Sequence, residues 1–471
     1  MNQPRLSTTT GRTIPGPYKI VAATSFGIFL GALDASIVNV SLVTIAASLG
    51  VGLAEIQWIV LSYLLILTSF MPLMGKLGDR YGRAKVFQIG MAIFVIGSLL
   101  CAFSFELFLL VGFRAFQALG ASMMTANGLA LVTCYTTSDN RGRAIGMNSI
   151  VLAAALALGP VLGGILSEFF GWQSIFLINL PIGIIGFVVF AKIVPETECV
   201  EETWFDTLGA ALFLIFLFSL VYTISVAKDE NPLILLVLIA IIVISFAGFI
   251  IRESRFESPI IPTRVLADRR ISTSIFSALL SYMAIVPITF LFPIFLQQEL
   301  GLGPSATGLI LTAHPIVISV IGPVSGFMSE RVRAKRQTVI GLVLQLGGLI
   351  FLGLVVPSIP LIVLGIIIMG LGLSLFSVAN GNFIMTSAPP EYMGVISALT
   401  NIARTTGFSI GTALVTAMFL VYNDTLPYSP AFQLTIWTFA LLVIIASGIS
   451  AVRGLSPAEA ERAKILKSIE A

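Results

Sequence analysis

The chain has 471 residues, of which 57% are hydrophobic and only 10% charged, with a formal net charge of +3 and a mean hydropathy of +1.02. A soluble domain carries roughly a quarter charged residues, so this composition excludes an aqueous globule and requires lipid as the solvent for most of the chain. Three scattered cysteines, Cys101, Cys134 and Cys199, suggest neither a disulfide framework nor a metal site. No cofactor and no nucleic-acid partner is expected.

In chain order, residues 1–17 are polar, with Arg5 and Arg12, and read as a short cytoplasmic tail. The apolar run that follows is too long for a signal peptide and lacks a small-residue cleavage site. A bilayer core about 30 Å thick needs about 20 apolar residues per helix, which gives about 14 spans. They are Ile20–Leu42, Glu55–Met74, Ala84–Phe103, Leu107–Val132, Gly142–Leu166, Trp172–Val194, Leu208–Ala227, Pro232–Ile251, Ile271–Leu296, Ala306–Met328, Thr338–Val356, Pro360–Phe383, Met393–Leu420 and Gln433–Val452. The runs are continuously apolar, which excludes an alternating-strand barrel.

Basic residues set the orientation. With a cytoplasmic N-terminus, the outer loops contain only Lys228, Arg114 and Arg404 lie within spans, and the other basic residues face the cytoplasm. Both termini are then cytoplasmic. The stretch "PLMGKLGDRYGR" (Pro72–Arg83), after the second span, matches "PVSGFMSERVR" (Pro323–Arg333), after the tenth. Matching loops in register imply two parallel six-helix halves. The expected organisation is a tail (1–17), a first bundle (18–194), a linker with two extra helices (195–270), a second bundle (271–453) and a C-terminal tail (454–471). The acidic loop with Glu196, Glu198, Glu201, Glu202 and Asp206 reads as solvated linker.

Several motifs together resemble the major facilitator superfamily, specifically its fourteen-span drug:proton antiporters of the EmrB/QacA type. "GALDASIVNVSL" is similar to the first-span motif of that family, with Ser36 where threonine is usual. "GKLGDRYGRAK" (Gly75–Lys85) resembles the signature loop of the superfamily. "RAFQALGA" (Arg114–Ala121) resembles its fourth-span motif, with Ala118 for the first glycine, and "LGPVLGGIL" (Leu158–Leu166) the core of the fifth-span antiporter motif. "WQSIFLINLPIG" and "NIARTTGFSIGTA" look like further hallmarks of the fourteen-span branch. The resemblance implies an all-α integral membrane protein of major facilitator fold: two six-helix bundles plus two inserted central helices. It implies a transporter, not an enzyme, in the bacterial cytoplasmic (inner) membrane. The activity implied is proton-coupled efflux of lipophilic or cationic small molecules by alternating access. The alternative is export of one specific metabolite, or flipping of a lipid-linked substrate, on the same fold. The partners expected are substrate, protons and the bilayer. A periplasmic adaptor is a further candidate partner, and the transporter is expected to be monomeric.

Asp34 is the only acidic residue deep within a span. Burial disfavours the carboxylate anion and suits a group that loads and releases a proton. A permanently paired structural aspartate is the alternative. Arg114 keeps its charge, so it must be paired or line a water-filled cavity, and Gln117 shares its helix face. The resemblance links Asp34 and Arg114 to proton coupling; a static tie between the first and fourth spans is the bland reading. Gly75, Asp79, Arg80 and Arg83 form the cytoplasmic turn, where Gly75 would allow close approach and Asp79 would cap a helix of the other half. Gly159, Pro160, Gly163 and Gly164 read as a kinked groove for a helix of the opposite half, a hinge and seal or ordinary close packing. Arg404 would snorkel or pair with a carboxylate such as Asp79. His314, the only histidine, is a candidate second proton site, or a side chain satisfied by backbone groups that Pro315 frees. Met123, Met124, Phe276, Tyr282, Phe290, Phe376 and Phe383 are candidates, with Gln117, for lining a substrate pocket. A pocket with one deep acid should favour neutral or monocationic substrates over dications.

Overall fold

The computed structural model describes residues 16–136, 138–195, 206–228, 230–256, 265, 267–388 and 393–454. Residues 1–15, Glu196, Glu198, Cys199, Glu201, Glu202 and the tail beyond 454 lie outside the described residues. Among those described, 14 helices are long and apolar enough to cross a membrane. They are α1 (Pro17–Leu49), α2 (Leu53–Tyr81), α3 (Arg83–Ala102), α4 (Leu107–Tyr135) and α5 (Ser138–Phe169). Then come α6 (Ser174–Ile193), α7 (Thr207–Val226), α8 (Pro232–Arg255), α9 (Arg269–Gln298) and α10 (Pro304–Arg331). The last four are α11 (Ala334–Val355), α12 (Ile359–Ser387), α13 (Met393–Asn423) and α14 (Tyr428–Val452).

Local chemistry explains the ends and breaks. Proline, which needs no amide partner in a first turn, opens α1, α8 and α12. Asp268 precedes α9 and accepts from the Arg270 amide at 2.8 Å, and Asn231 caps α8 in the same way. Gly50 and Gly301 end α1 and α9 in the left-handed conformation, at φ 66° and 64°. Two helices are irregular inside the span. α6 breaks at Ile178, between Ser174–Leu177 and Asn179–Ile193. α9 passes through a wide π turn at Pro287–Leu291. Helices overrun the apolar segments: α5 extends beyond Gly142–Leu166 at both ends, because backbone pairing continues past the hydrocarbon.

The helices cluster into two compact units. The first contains α1 to α6, the start of α7 up to Leu217, and Gly303–Leu309, the entry to α10. Its core joins Ile20, Leu30, Tyr63, Phe87, Phe94, Met124 and Phe190, with Phe87 stacked on Phe190 at 4.6 Å. Small residues bring its backbones together. Gly90 lies against the Gly120 carbonyl, and Gly97 against Gln117. The groove of α5 corrects one expectation: Gly159 and Gly163 face Ser36 and Ile37 of α1, in the same half. Gly164 instead faces Pro304 and Ser305 at the entry to α10, Gly308 faces the Pro160 carbonyl, and Glu168 accepts from the Ser305 amide at 2.8 Å.

The second unit comprises Phe218–Leu302 and Ile310 onward. Gly341 meets the Gly372 carbonyl, Gly348 meets Met369, and Gly407 and Gly411 of α13 let α9 approach at Leu279 and Met283. Phe295 and Phe432 stack at 4.1 Å, with Phe292 and Tyr428 beside them. Arg453, just after α14, donates to Asn380 at 2.9 Å and Thr338 at 2.8 Å, and lies over the Phe383 ring. α8 exposes Leu233, Leu236, Val237, Val243 and Ile244, a surface suited to lipid.

Candidate functional site

One cluster of charge lies fully buried in the first unit. Asp34 of α1 is 0% exposed and Arg114 of α4 is 2% exposed. Arg114 Nη1 donates to Asp34 Oδ2 at 2.6 Å. Gln117, one turn on along α4, donates through Nε2 to Asp34 Oδ1 at 2.9 Å and accepts from Arg114 Nη1 at 2.6 Å. Asn179, at the break in α6, donates to the same Asp34 Oδ1 at 3.0 Å. Ser98 of α3 closes the ring, its Oγ accepting from Gln117 at 2.6 Å and from Asn179 at 3.2 Å. Arg114 Nε donates to the Ile59 carbonyl at 3.4 Å, and the guanidinium lies 4.2 Å from the Tyr63 ring centroid and 5.7 Å from that of Phe176. Five helices thus contribute to the cluster, α4 and α6 touching the carboxylate itself, and every polar contact to it comes from a donor. Both carboxylate oxygens are thereby hydrogen-bonded, which is what a polar group away from water requires.

The turn between α2 and α3 departs from expectation. Asp79 pairs with Arg83 at 2.7 Å, within its own turn. Arg80 lies over the neighbouring Tyr81 ring. A side chain at Gly75 would meet only Ala126, at 3.9 Å, an ordinary contact, so Gly75 is not the point of close approach. Gly78 is, against Asn127, whose amide donates to the Met74 carbonyl at 3.0 Å and to the Met123 carbonyl at 2.9 Å.

Most of the proposed pocket residues are core. Met124 packs against Gly27 and Phe87, Met123 lies against Gly90, and Phe376 is fully buried, its backbone against Gly341. Phe290 is buried at the π turn, and Phe276 is half exposed. Tyr282 keeps a partly open position, its ring 5.9 Å from that of Phe408. His314 is buried in α10, with its Nε2 lacking a hydrogen-bond partner among the described residues. No group of three or more His, Cys, Asp or Glu side chains among the described residues is arranged to hold a metal ion.

Outside the spans, Asp268 is the acid whose environment is clear. The Arg270 guanidinium, at 2.7 Å, holds its carboxyl below the usual range, aided by the Arg270 amide.

The description "Major Facilitator Superfamily" belongs to a family model that matches residues 24–412 and 274–470. The chain belongs to the Major Facilitator Superfamily. Its 14 spans fit the fourteen-span branch. It is 34% identical over 404 residues to the riboflavin transporter RibZ of Clostridioides difficile strain 630, covering 84% of this chain and 88% of that protein. It is 31% identical to the tetracenomycin C resistance and export protein of Streptomyces glaucescens, covering 85% and 75% of the two chains. The multidrug resistance protein Stp of Mycobacterium tuberculosis strain CDC 1551 / Oshkosh is likewise 31% identical, with 83% and 74% covered. In fold the chain is similar to the crystal structure of a peptide transporter POT in complex with sulfate, with a TM-score of 0.68, 17% identity, and 95% and 98% coverage. These relatives are transporters and exporters, and the superfamily member described here is an integral, multi-pass membrane protein.

Within this membership the buried cluster acquires a frame. Asp34, Arg114 and Gln117 were legible as the deep charges and their helix-face neighbour. Ser98 and Asn179 were not: each is an uncharged polar residue in an apolar run, and only the fold shows that Asn179 reaches Asp34 and that Ser98 holds Gln117 and Asn179 beside it. The available signal for Asn179 was its place just before Leu180 and Pro181, where a helix beginning inside a span leaves its side chain unusually constrained.

Proposed function

We propose that this chain is a proton-coupled exporter of lipophilic small molecules, cationic ones included. It sits in the bacterial cytoplasmic membrane with both termini inside and works by alternating access. The observation that carries this reading is the buried Asp34–Arg114 pair with its ring of amides. A proton arriving at Asp34 cancels one charge of the pair. Arg114, which stays charged, must then re-form its contacts, so protonation and the helix arrangement around α1 and α4 are linked. Substrate that prefers one arrangement changes the proton affinity of the other, and the linkage is reciprocal. The relatives named for drug resistance and export support outward movement of small molecules. The relative named for riboflavin favours a second reading, export of one specific metabolite by the same cycle.

The test is gradient-driven uptake into inside-out vesicles, with ethidium and riboflavin as probes, in wild type and Asp34→Asn. The expected outcome is uptake of at least one probe when the lumen is acid, lost in the variant. Unchanged gradient-driven uptake in Asp34→Asn would remove the proton-coupling role of this carboxylate. Uptake of riboflavin alone would select the single-metabolite reading.

A further inference from the structure

Arg404 is the second arginine deep within a span, and its surroundings are opposite to those of Arg114. It sits in α13, on the order of 16 Å from Met393 and 28 Å from Asn423 at 1.5 Å per residue, about a third of the way along the helix. Among the described residues no carboxylate lies within ion-pair distance of it, and none accepts a hydrogen bond from it. Asp79, the carboxylate named from the sequence as a candidate partner, is engaged by Arg83 within its own unit. The side chain is only half-buried, as are Ser397, Asn401 and Phe408 on the same face. A stripe of serine, asparagine and arginine at that depth does not face hydrocarbon. Intramembrane charges line the bundle interior or a water-filled cavity.

The neighbouring side chain across this face is Tyr282 of α9, which packs against Phe408, one turn on from Arg404. Gly407 fixes the spacing, since a side chain there would meet the Tyr282 Cβ and the Leu279 carbonyl. The Tyr282 and Phe408 rings, 5.9 Å apart, offer apolar surface one turn from the guanidinium. An unpaired guanidinium presents its donor fork to carboxylate or phosphate oxygens, and does so most strongly away from bulk water.

We propose that Arg404, with Tyr282 and Phe408, forms a subsite in the second unit for the anionic group of an aromatic substrate, a carboxylate or a phosphate. The inference rests on the exporter reading and gives it a substrate class. It also revises the cation preference expected from the sequence. Asp34 is matched by Arg114, so Arg404 is the deep charge left to recognise substrate.

The experiment uses the purified full-length transporter and a matched pair of probes, riboflavin and riboflavin 5′-phosphate, which differ only in the phosphate. Fluorescein supplies an aryl carboxylate. Affinity is read from probe fluorescence in wild type, Arg404→Gln and Arg404→Lys, each checked for a monodisperse elution profile. The phosphate ester should bind wild type about tenfold or more tightly than riboflavin, the factor a charge-assisted contact supplies. Arg404→Gln should abolish the difference, and Arg404→Lys should retain part of it. Equal affinities in wild type, an equal weakening of both flavins in Arg404→Gln, or failure of both anionic probes to bind would overturn the proposal. The exporter reading is judged separately, by the gradient-driven uptake lost in Asp34→Asn. Charge preference without such uptake leaves the subsite standing and removes the transport cycle; uptake without charge preference does the reverse.

Discussion

The two six-helix halves use one packing scheme around different centres. The numbering shift that carries Gly50 onto Gly301 also carries Gly90, packed on the Gly120 carbonyl, onto Gly341, packed on the Gly372 carbonyl. The same shift places Ile285 at the position of Asp34 and Leu349 at that of Ser98. The shift from Gly120 to Gly372 places Ile366 at Arg114 and Met369 at Gln117. All four second-half residues are buried: Ile285 is 1% exposed, and Leu349, Ile366 and Met369 are 0% exposed. Where one half holds an ion pair and three amide or hydroxyl groups, the other holds aliphatic side chains. The glycine contacts recur in both halves and the charges do not. Buried ion pairs are weak sources of stability, and hydrophobic replacements of similar volume are often neutral or better. What the charges add in the first half is something other than packing.

The largest effect that tests this contrast comes from removing one partner. Arg114→Ile should strand the Asp34 carboxylate and cost about 3–5 kcal/mol, read as a lower thermal unfolding midpoint in detergent. Converting the whole cluster to its second-half residues should recover most of that loss. The substitutions are Asp34→Ile, Ser98→Leu, Arg114→Ile and Gln117→Met, with Asn179→Leu to remove the last amide. This variant should fold and carry out no gradient-driven transport. If it is as unstable as Arg114→Ile, the two centres are not interchangeable as packing. An intermediate effect is expected at the shared contacts. Gly90→Ala and Gly341→Ala should each cost about 1–3 kcal/mol by overpacking against backbone, with similar values in the two halves. A large disparity between them in the same unfolding assay would show that the halves do not share one scheme.

The smallest effect concerns the helix starts, where the halves differ again. α1 has Gly16 before it, with no side-chain cap, whereas Asp268 caps α9. The folded state holds the Asp268 carboxyl below its ordinary value, chiefly through Arg270. A depressed folded value stabilises above the unfolded value, about 3.9, and that stabilisation is lost as pH falls through the folded one. Asp268→Ala should cost about 0.5 kcal/mol at pH 7, the low end for a cap because solvent screens a partly exposed carboxylate. The wild-type and variant midpoints should converge once the pH falls below the folded value of Asp268. A gap of equal size at both pH values would remove the ionised cap as its cause.

Span number and the paired loops were legible in the sequence because both are one-dimensional signals of length, hydropathy and repetition. Asp34 and Arg114 were legible because a charge in an apolar run is conspicuous by itself. The partners were not, since depth along one helix does not say which neighbour stands at that depth. This is why Gly159 and Gly163 were matched to the wrong helix, and why Gly75 was chosen over Gly78. The burial of Met124 has a related cause: Gly27 on a neighbouring helix receives its side chain, and the sequence shows the side chain without the groove that receives it.

The face of Tyr63, 4.2 Å from the Arg114 guanidinium, has a consequence for any cycle that neutralises Asp34. A ring quadrupole is a negative surface that does not titrate. When the carboxylate loses its charge, the cation is left against this surface and the Ile59 carbonyl, and is not stranded in hydrocarbon. In the proposed cycle this aromatic shelf would keep Arg114 accommodated whether or not Asp34 carries its charge.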